Sequence, residues 1–108
     1  MKTSELKYIS ESLINTFNNA GQISIELYEK GLNIEIKEDN SPVSNGDIKV
    51  NELITNKIKE LTPNIPIISE ETVDLKKINK AKVFWLIDPI DGTKEYIAGN
   101  DEYTLNAA

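Results

Sequence analysis

Five consecutive apolar residues, Val83-Phe84-Trp85-Leu86-Ile87, run straight into Asp88-Pro89-Ile90-Asp91-Gly92-Thr93. No other stretch of the chain constrains its fold as strongly. A short apolar run of this kind, rich in β-branched and aromatic residues, reads as a strand buried on both faces. Two carboxylates, a proline and a glycine directly after it predict that the strand stops there in a stiff turn. Gly92 permits a sharp bend or a close ligand approach.

The rest of the chain supplies what such a strand needs to pack against. Leu6, Ile9, Leu13, Phe17 and Ala20 recur at helical spacing, and the pattern resumes through Ile23 and Leu27. Thr3 or Ser4 can cap the start, and Lys30-Gly31 reads as the end. This predicts one helix over 4–30, kinked near Gly21. Leu32, Ile34 and Ile36 alternate with polar residues, predicting a half-buried strand. Asp39-Asn40-Ser41-Pro42 is a turn cluster. Val50, Leu53, Ile54, Ile58 and Leu61 mark a second amphipathic helix opening at Asp47 and ended by Thr62-Pro63. Ile67-Ile68 predicts a short strand leading into Ser69-Glu70-Glu71. Residues 74–82 are lysine-rich and read as a solvated excursion. Tyr103, Leu105 and Ala107 alternate as a last strand. The expected architecture is α+β, one domain over residues 1–108, with two helices packed on an antiparallel or mixed sheet. The chain stops inside that last strand, which predicts a C-terminal portion absent from it.

Composition removes whole classes of chemistry. There is no cysteine and no histidine among the 108 residues. Disulfides, thiolate or imidazole zinc sites, and a Ser-His-Asp triad within the chain are thereby excluded. A net charge of −6 disfavours polymeric nucleic acid and anionic lipid as partners. No apolar run approaches a transmembrane length and no signal-peptide core is present, so the cytoplasm is the expected compartment.

Carboxylates remain. Glu70 and Glu71 follow one strand, Asp88 and Asp91 follow another, and Asp47 opens a helix. If the strands ending at Ile68 and Ile87 are neighbours, Glu70, Asp88 and Asp91 converge and repel one another unless a cation joins them. Oxygen ligands alone point to Mg²⁺, Mn²⁺ or Ca²⁺. An EF-hand fails: with Gly92 on that loop's glycine, only Asp91 of the residues at its ligand positions fits. Each residue also has a plain structural role. Asp-Pro-x-Asp-Gly is usually a turn, Asp47 is most simply an N-cap, Glu70-Glu71 alone would be surface charge, and Thr93 could cap.

Taken together, these segments resemble a known family. Trp85-Leu86-Ile87-Asp88-Pro89-Ile90-Asp91-Gly92-Thr93 is similar to the signature of the inositol monophosphatase superfamily. Ser69-Glu70-Glu71 resembles its upstream Glu-Glu motif, and Ser41-Pro42-Val43-Ser44-Asn45-Gly46-Asp47 the segment before its second helix. Within the superfamily, Thr93-Lys94-Glu95-Tyr96-Ile97, residues 37–42 and residues 102–106 resemble the CysQ-type 3'(2'),5'-bisphosphate nucleotidases. Asn45-Gly46 departs from the pattern, since alanines are common there.

The resemblance implies the N-terminal half of a layered αβαβα sugar-phosphatase fold. It also implies Mg²⁺-dependent phosphomonoester hydrolysis, removing the 3'-phosphate of adenosine 3',5'-bisphosphate in sulfate assimilation. Glu70, Asp88 and the Ile90 carbonyl would hold one Mg²⁺. Asp88 would bridge to a second, shared with Asp91. Two or three ions are expected in a complete enzyme, with Mn²⁺ as a substitute. Glu71 would stand behind these ligands. The Gly92 and Thr93 amides would contact the phosphate, with Glu70, Ile90 and Asp91 beside the substrate. Asp47 and the Thr93 hydroxyl would orient and deprotonate the attacking water. A phosphorylated nucleotide is the implied partner, together with a homodimer. The superfamily's further metal-binding aspartate lies in its C-terminal half, so the chain alone is expected to be a very poor phosphatase. Two alternatives stay open: an inositol or sugar phosphate phosphatase of the same fold, or a non-catalytic metal-binding fragment.

Overall fold

The computed structural model describes residues 2–69 and 83–108. Glu70, Glu71 and the lysine-rich segment 74–82, each given a role or form above, lie outside the described residues.

Helix α1 spans Thr3–Lys30. It is continuous through Gly21. Gly31 follows at φ 96°, a positive φ that glycine adopts without a side-chain clash. Strands β1 (Ile34–Ile36) and β2 (Pro42–Ser44) form an antiparallel pair. The expectation of a half-buried β1 is not met, because Ile34 and Ile36 are both exposed. A two-stranded ribbon has no third layer to cover its alternate residues.

Helix α2 spans Asn45–Leu61. Val50, Ile54 and Ile58 sit four residues apart on one face and are fully buried. Across from them lie Ile9 and Leu13 of α1, and Ile87 and Ile90 of the sheet. Helix α2 therefore lies against α1 and against the central strand. Truncating an isoleucine such as Ile54 to alanine costs about 2–5 kcal/mol at such a position.

Strand β3 (Ile67–Ser69) pairs in parallel with β4 (Trp85–Asp91), and β4 pairs antiparallel with β5 (Thr104–Ala107). The sheet is mixed, in the order β3-β4-β5, and the class is α+β. The parallel pairing meets the condition set by the sequence, because Ser69 stands beside Ile87. A buried hydrogen bond of 2.5 Å from Ser69 Oγ to Asn51 Oδ1 ties the end of β3 to α2. A short third helix, α3 (Thr93–Ile97), was not expected from the sequence.

Two expectations about the apolar run need correction. The run is not buried on both faces: Ile87 is buried, whereas Leu86 is 53% exposed and Val83 and Phe84 are exposed as well. The helices cover one face of the sheet, and no described element covers the other. Nor does the strand stop at Asp88. It continues through Pro89 and Ile90 to Asp91 by means of a bulge.

Candidate active site

The bulge decides where the carboxylates go. Successive side chains on a regular strand alternate faces, so residues three apart point oppositely. Here Asp88 pairs with Asn106 and Asp91 with Thr104. Three residues of β4 thus match two of β5, which is one extra residue. Asn106 and Thr104 share a face of β5, so Asp88 and Asp91 share the corresponding face of β4. The same extra residue turns both Ile87 and Ile90, again three apart, into the core at 3% and 2% exposure. Pro89 sits within the bulge and is fully buried. Proline suits that position because a bulge relieves it of donating to the ladder.

The face carrying Asp88 opens on a groove of about 570 Å³. Ile68, Ser69, Leu86, Asp88 and Asn106 are among its lining. Asp91 is exposed at the end of β4. Gly92 follows at φ 90°, ψ 45°, and the chain turns directly into α3. A left-handed residue followed by a helical one aims successive backbone amides to one side, the geometry of anion nests. A side chain at Gly92 would meet the Glu102 carbonyl oxygen at 2.9 Å, so glycine is required there on two counts.

Thr93 opens α3, and its hydroxyl donates to Asp47 Oδ1 at 2.8 Å. Asp47 is 1% exposed. Its other carboxylate oxygen, Oδ2, accepts from the Ser44 amide at 2.9 Å and from the Ser44 hydroxyl at 2.5 Å. The Asp47 amide in turn donates to Ser44 Oγ at 3.2 Å. This reciprocal pair is a capping box with Ser44 as the N-cap. Asp47 is therefore not the N-cap itself, as its simplest reading has it, but the third helical residue. A carboxylate there also meets the positive end of the helix dipole.

The structure brings Asp47 and Thr93 into contact and sets Asp88 and Asp91 on one face a few residues before Thr93. The Ile90 carbonyl oxygen accepts from the Thr93 hydroxyl at 3.2 Å. Asp88, Asp91 and Ile90 offer only oxygen, a donor set that fits a hard divalent cation. Among the described residues no three acidic side chains converge into a metal-holding group. The third carboxylate expected, Glu70, lies outside them.

Sequence reasoning gave no role to Ser44, although Ser44-x-x-Asp47 has the spacing of a capping box with aspartate in place of glutamate. It also passed over Tyr96 except as a subfamily marker. That ring is 1% exposed, and its hydroxyl donates to the Ser24 carbonyl at 2.6 Å. Burial first, then the neighbouring Tyr103 and Asp47, push its hydroxyl up to about 12.

Solved structures share this arrangement of elements. An IMPase/NADP phosphatase, solved with NADP and Ca²⁺, superposes with a TM-score of 0.84 at 21% identity over 100% of this chain and 40% of its own. CysQ from Bacteroides thetaiotaomicron, described as a bacterial member of the inositol monophosphatase family, gives a TM-score of 0.69 at 35% identity, covering 91% of this chain and 36% of its own. The sequence profile of the inositol monophosphatase family matches residues 5–108, and the chain belongs to that family. A curated relative, the 3'(2'),5'-bisphosphate nucleotidase CysQ of Escherichia coli, is 40% identical over 93 residues, 83% of this chain. The chain spans only 38% of that relative's length. The fold described above is the N-terminal half of the family's fold.

Proposed function

We propose that this chain is the metal-holding and water-activating part of a Mg²⁺-dependent phosphomonoesterase, acting on a nucleoside 3',5'-bisphosphate such as adenosine 3',5'-bisphosphate. The observation that carries the reading is the Thr93–Asp47 hydrogen bond beside the bulge that presents Asp88 and Asp91. A buried carboxylate polarising an alcohol next to a cluster of hard oxygen donors suits the delivery of water to phosphorus. The nucleotidases among the relatives support the substrate class, and the Ca²⁺ in a structure of the same fold supports a divalent ion.

In this reading Glu70, Asp88 and the Ile90 carbonyl would hold one divalent cation, and Asp88 and Asp91 would share in holding a second. A cation bound there acidifies water and offsets the charge that builds on the transferring phosphoryl group. The chain's own residues do the rest. Thr93 Oγ1 accepts a hydrogen bond from the attacking water while its own proton points at Asp47 Oδ1. As water adds to phosphorus, its proton passes to Thr93 Oγ1 and the threonine proton passes to Asp47, while the ester P–O bond breaks and the 3'-oxygen leaves with the bonding pair and takes a proton from solvent. Ser44, by occupying Oδ2, holds the carboxylate so that Oδ1 faces the threonine. The Gly92 and Thr93 amides fix the phosphate oxygens at the start of α3.

The experiment is a phosphate-release assay, with Mg²⁺, on a protein extended to the length of its relatives. Adenosine 3',5'-bisphosphate should be preferred over inositol 1-phosphate in kcat/KM. Equal or reversed preference removes the nucleotidase assignment, and no release from either removes the phosphatase.

A further inference from the structure

Glycine within a helix costs up to about 1 kcal/mol against alanine. Yet Gly46 sits there in α2, buried and directly before Asp47. The reason lies across the interface. A Cβ at position 46 would collide with Tyr96 Oη and stand 2.7 Å from Cε2 and 2.8 Å from Cζ. These three atoms of the tyrosine occupy the volume a methyl group would need.

Tyr96 is held there from several sides. Its hydroxyl donates to the Ser24 carbonyl of α1. Its ring packs against Tyr103 at 4.8 Å between centroids, tilted by 56°. The Tyr103 hydroxyl in turn lies 3.1 Å from Ser24 Oγ, which donates to the Gly21 carbonyl at 2.6 Å. A single buried side chain thus touches α1, the start of α2 and the segment entering β5. Tyr96 also lies one turn after Thr93 on α3, so the two side chains share a face of that helix. Fixing Tyr96 against Gly46 fixes the distance between the first turns of α2 and α3. That distance is the one spanned by the Thr93–Asp47 hydrogen bond.

We infer that Tyr96 is a positioning residue for the Thr93–Asp47 pair, and that glycine at position 46 is the space it needs. The catalytic sense of this inference rests on the phosphatase reading above; the packing relationship does not.

The test uses the 108-residue chain and four variants: Gly46→Ala, Tyr96→Leu, Tyr96→Phe, and Gly46→Ala with Tyr96→Leu. Melting temperature reports the packing, and three-bond NMR couplings of the Thr93 side chain report whether its hydroxyl is held. In the parent, Thr93 shows one fixed rotamer. Gly46→Ala lowers Tm sharply alone but little in the presence of Tyr96→Leu, because leucine lacks all three clashing atoms. Tyr96→Leu leaves the chain folded with Thr93 averaging over rotamers. Tyr96→Phe, which keeps the ring, preserves the fixed rotamer. A Thr93 rotamer still fixed in folded Tyr96→Leu overturns the positioning role. Additive Tm effects of Gly46→Ala and Tyr96→Leu overturn the packing relationship. Should Gly46→Ala fail to fold, the Tyr96→Leu and Tyr96→Phe comparison decides alone. Line broadening by Mn²⁺ at Asp88 and Asp91 in the parent is recorded on the same samples. Its absence alongside the predicted Thr93 behaviour removes the phosphatase reading and supports the positioning one.

Discussion

Thr93 donates its hydroxyl hydrogen to Asp47 Oδ1 at 2.8 Å, across 46 residues of sequence. The bond joins the first turns of two helices that share no local connection, and it buries an aspartate that has Ser44 on its other oxygen. In a protein of the relatives' length, Thr93→Ala or Asp47→Asn should lower kcat by roughly 10²–10⁴, the usual worth of a positioned proton transfer. Affinity for the divalent cation should hardly move, since neither side chain is among the proposed ligands. Steady-state kinetics with a Mg²⁺ titration checks both; near-normal kcat would reduce the bond to a structural tie.

Ser44 is the support for that aspartate. Ser44→Ala removes the hydroxyl that accepts from the Asp47 amide and donates to its carboxylate. The loss should be about 1 kcal/mol of stability, the typical worth of an N-cap. Ser44→Thr should recover most of it. Urea unfolding of the three proteins reads this directly.

Gly92 should tolerate nothing larger. Its φ of 90° strains any other residue, and an added methyl meets the Glu102 carbonyl oxygen, which is backbone and cannot swing aside. Gly92→Ala should cost roughly 1–3 kcal/mol and should disturb the turn that carries Asp91 into Thr93. Denaturant midpoints provide the measurement.

The raised Tyr96 hydroxyl predicts an alkaline weakness. Tyrosine's ordinary value is 10.0, and burial, then Tyr103 and Asp47, push Tyr96 up to about 12. Between those values the unfolded chain releases a proton that the folded chain keeps, so stability falls as pH rises. The contribution is fully present below about pH 10 and is lost as pH passes through about 12. Tyr96→Phe removes it. The difference in stability between parent and variant, measured by urea unfolding at about pH 9 and about pH 11.5, should shrink at the higher pH.

Much of this was legible because periodicity and turn residues are local signals. The two long helices, the strands around Ile34, Ile67 and Leu105, and the α+β class follow from the spacing of apolar residues. The extent and burial of β4 did not. Asp-Pro-x-Asp-Gly reads as a turn on composition, yet pairing with β5 carries the strand through Pro89 as a bulge, and only register against Thr104 and Asn106 reveals that Asp88 and Asp91 share a face. The continuous apolar run suggested two buried faces, whereas Leu86 lies on the face that no described element covers. Asp47 stands out in the sequence as a candidate, but its place inside a capping box and its bond to Thr93 depend on contacts between segments. Tyr96 was invisible for the same reason: a tyrosine in a short polar stretch gives no local sign that it fills the space beside Gly46.

The central claim is that Asp88, Ile90 and Asp91 hold a divalent cation, and Mn²⁺ titration of the 108-residue chain by NMR tests it most directly. Relaxation enhancement should concentrate at these three residues, with affinity of roughly millimolar order expected for a cation held by few protein ligands. Asp88→Asn should weaken it more than Asp91→Asn, because Asp88 is the proposed shared ligand. Broadening spread evenly over the acidic surface, or unchanged by Asp88→Asn, would contradict the account.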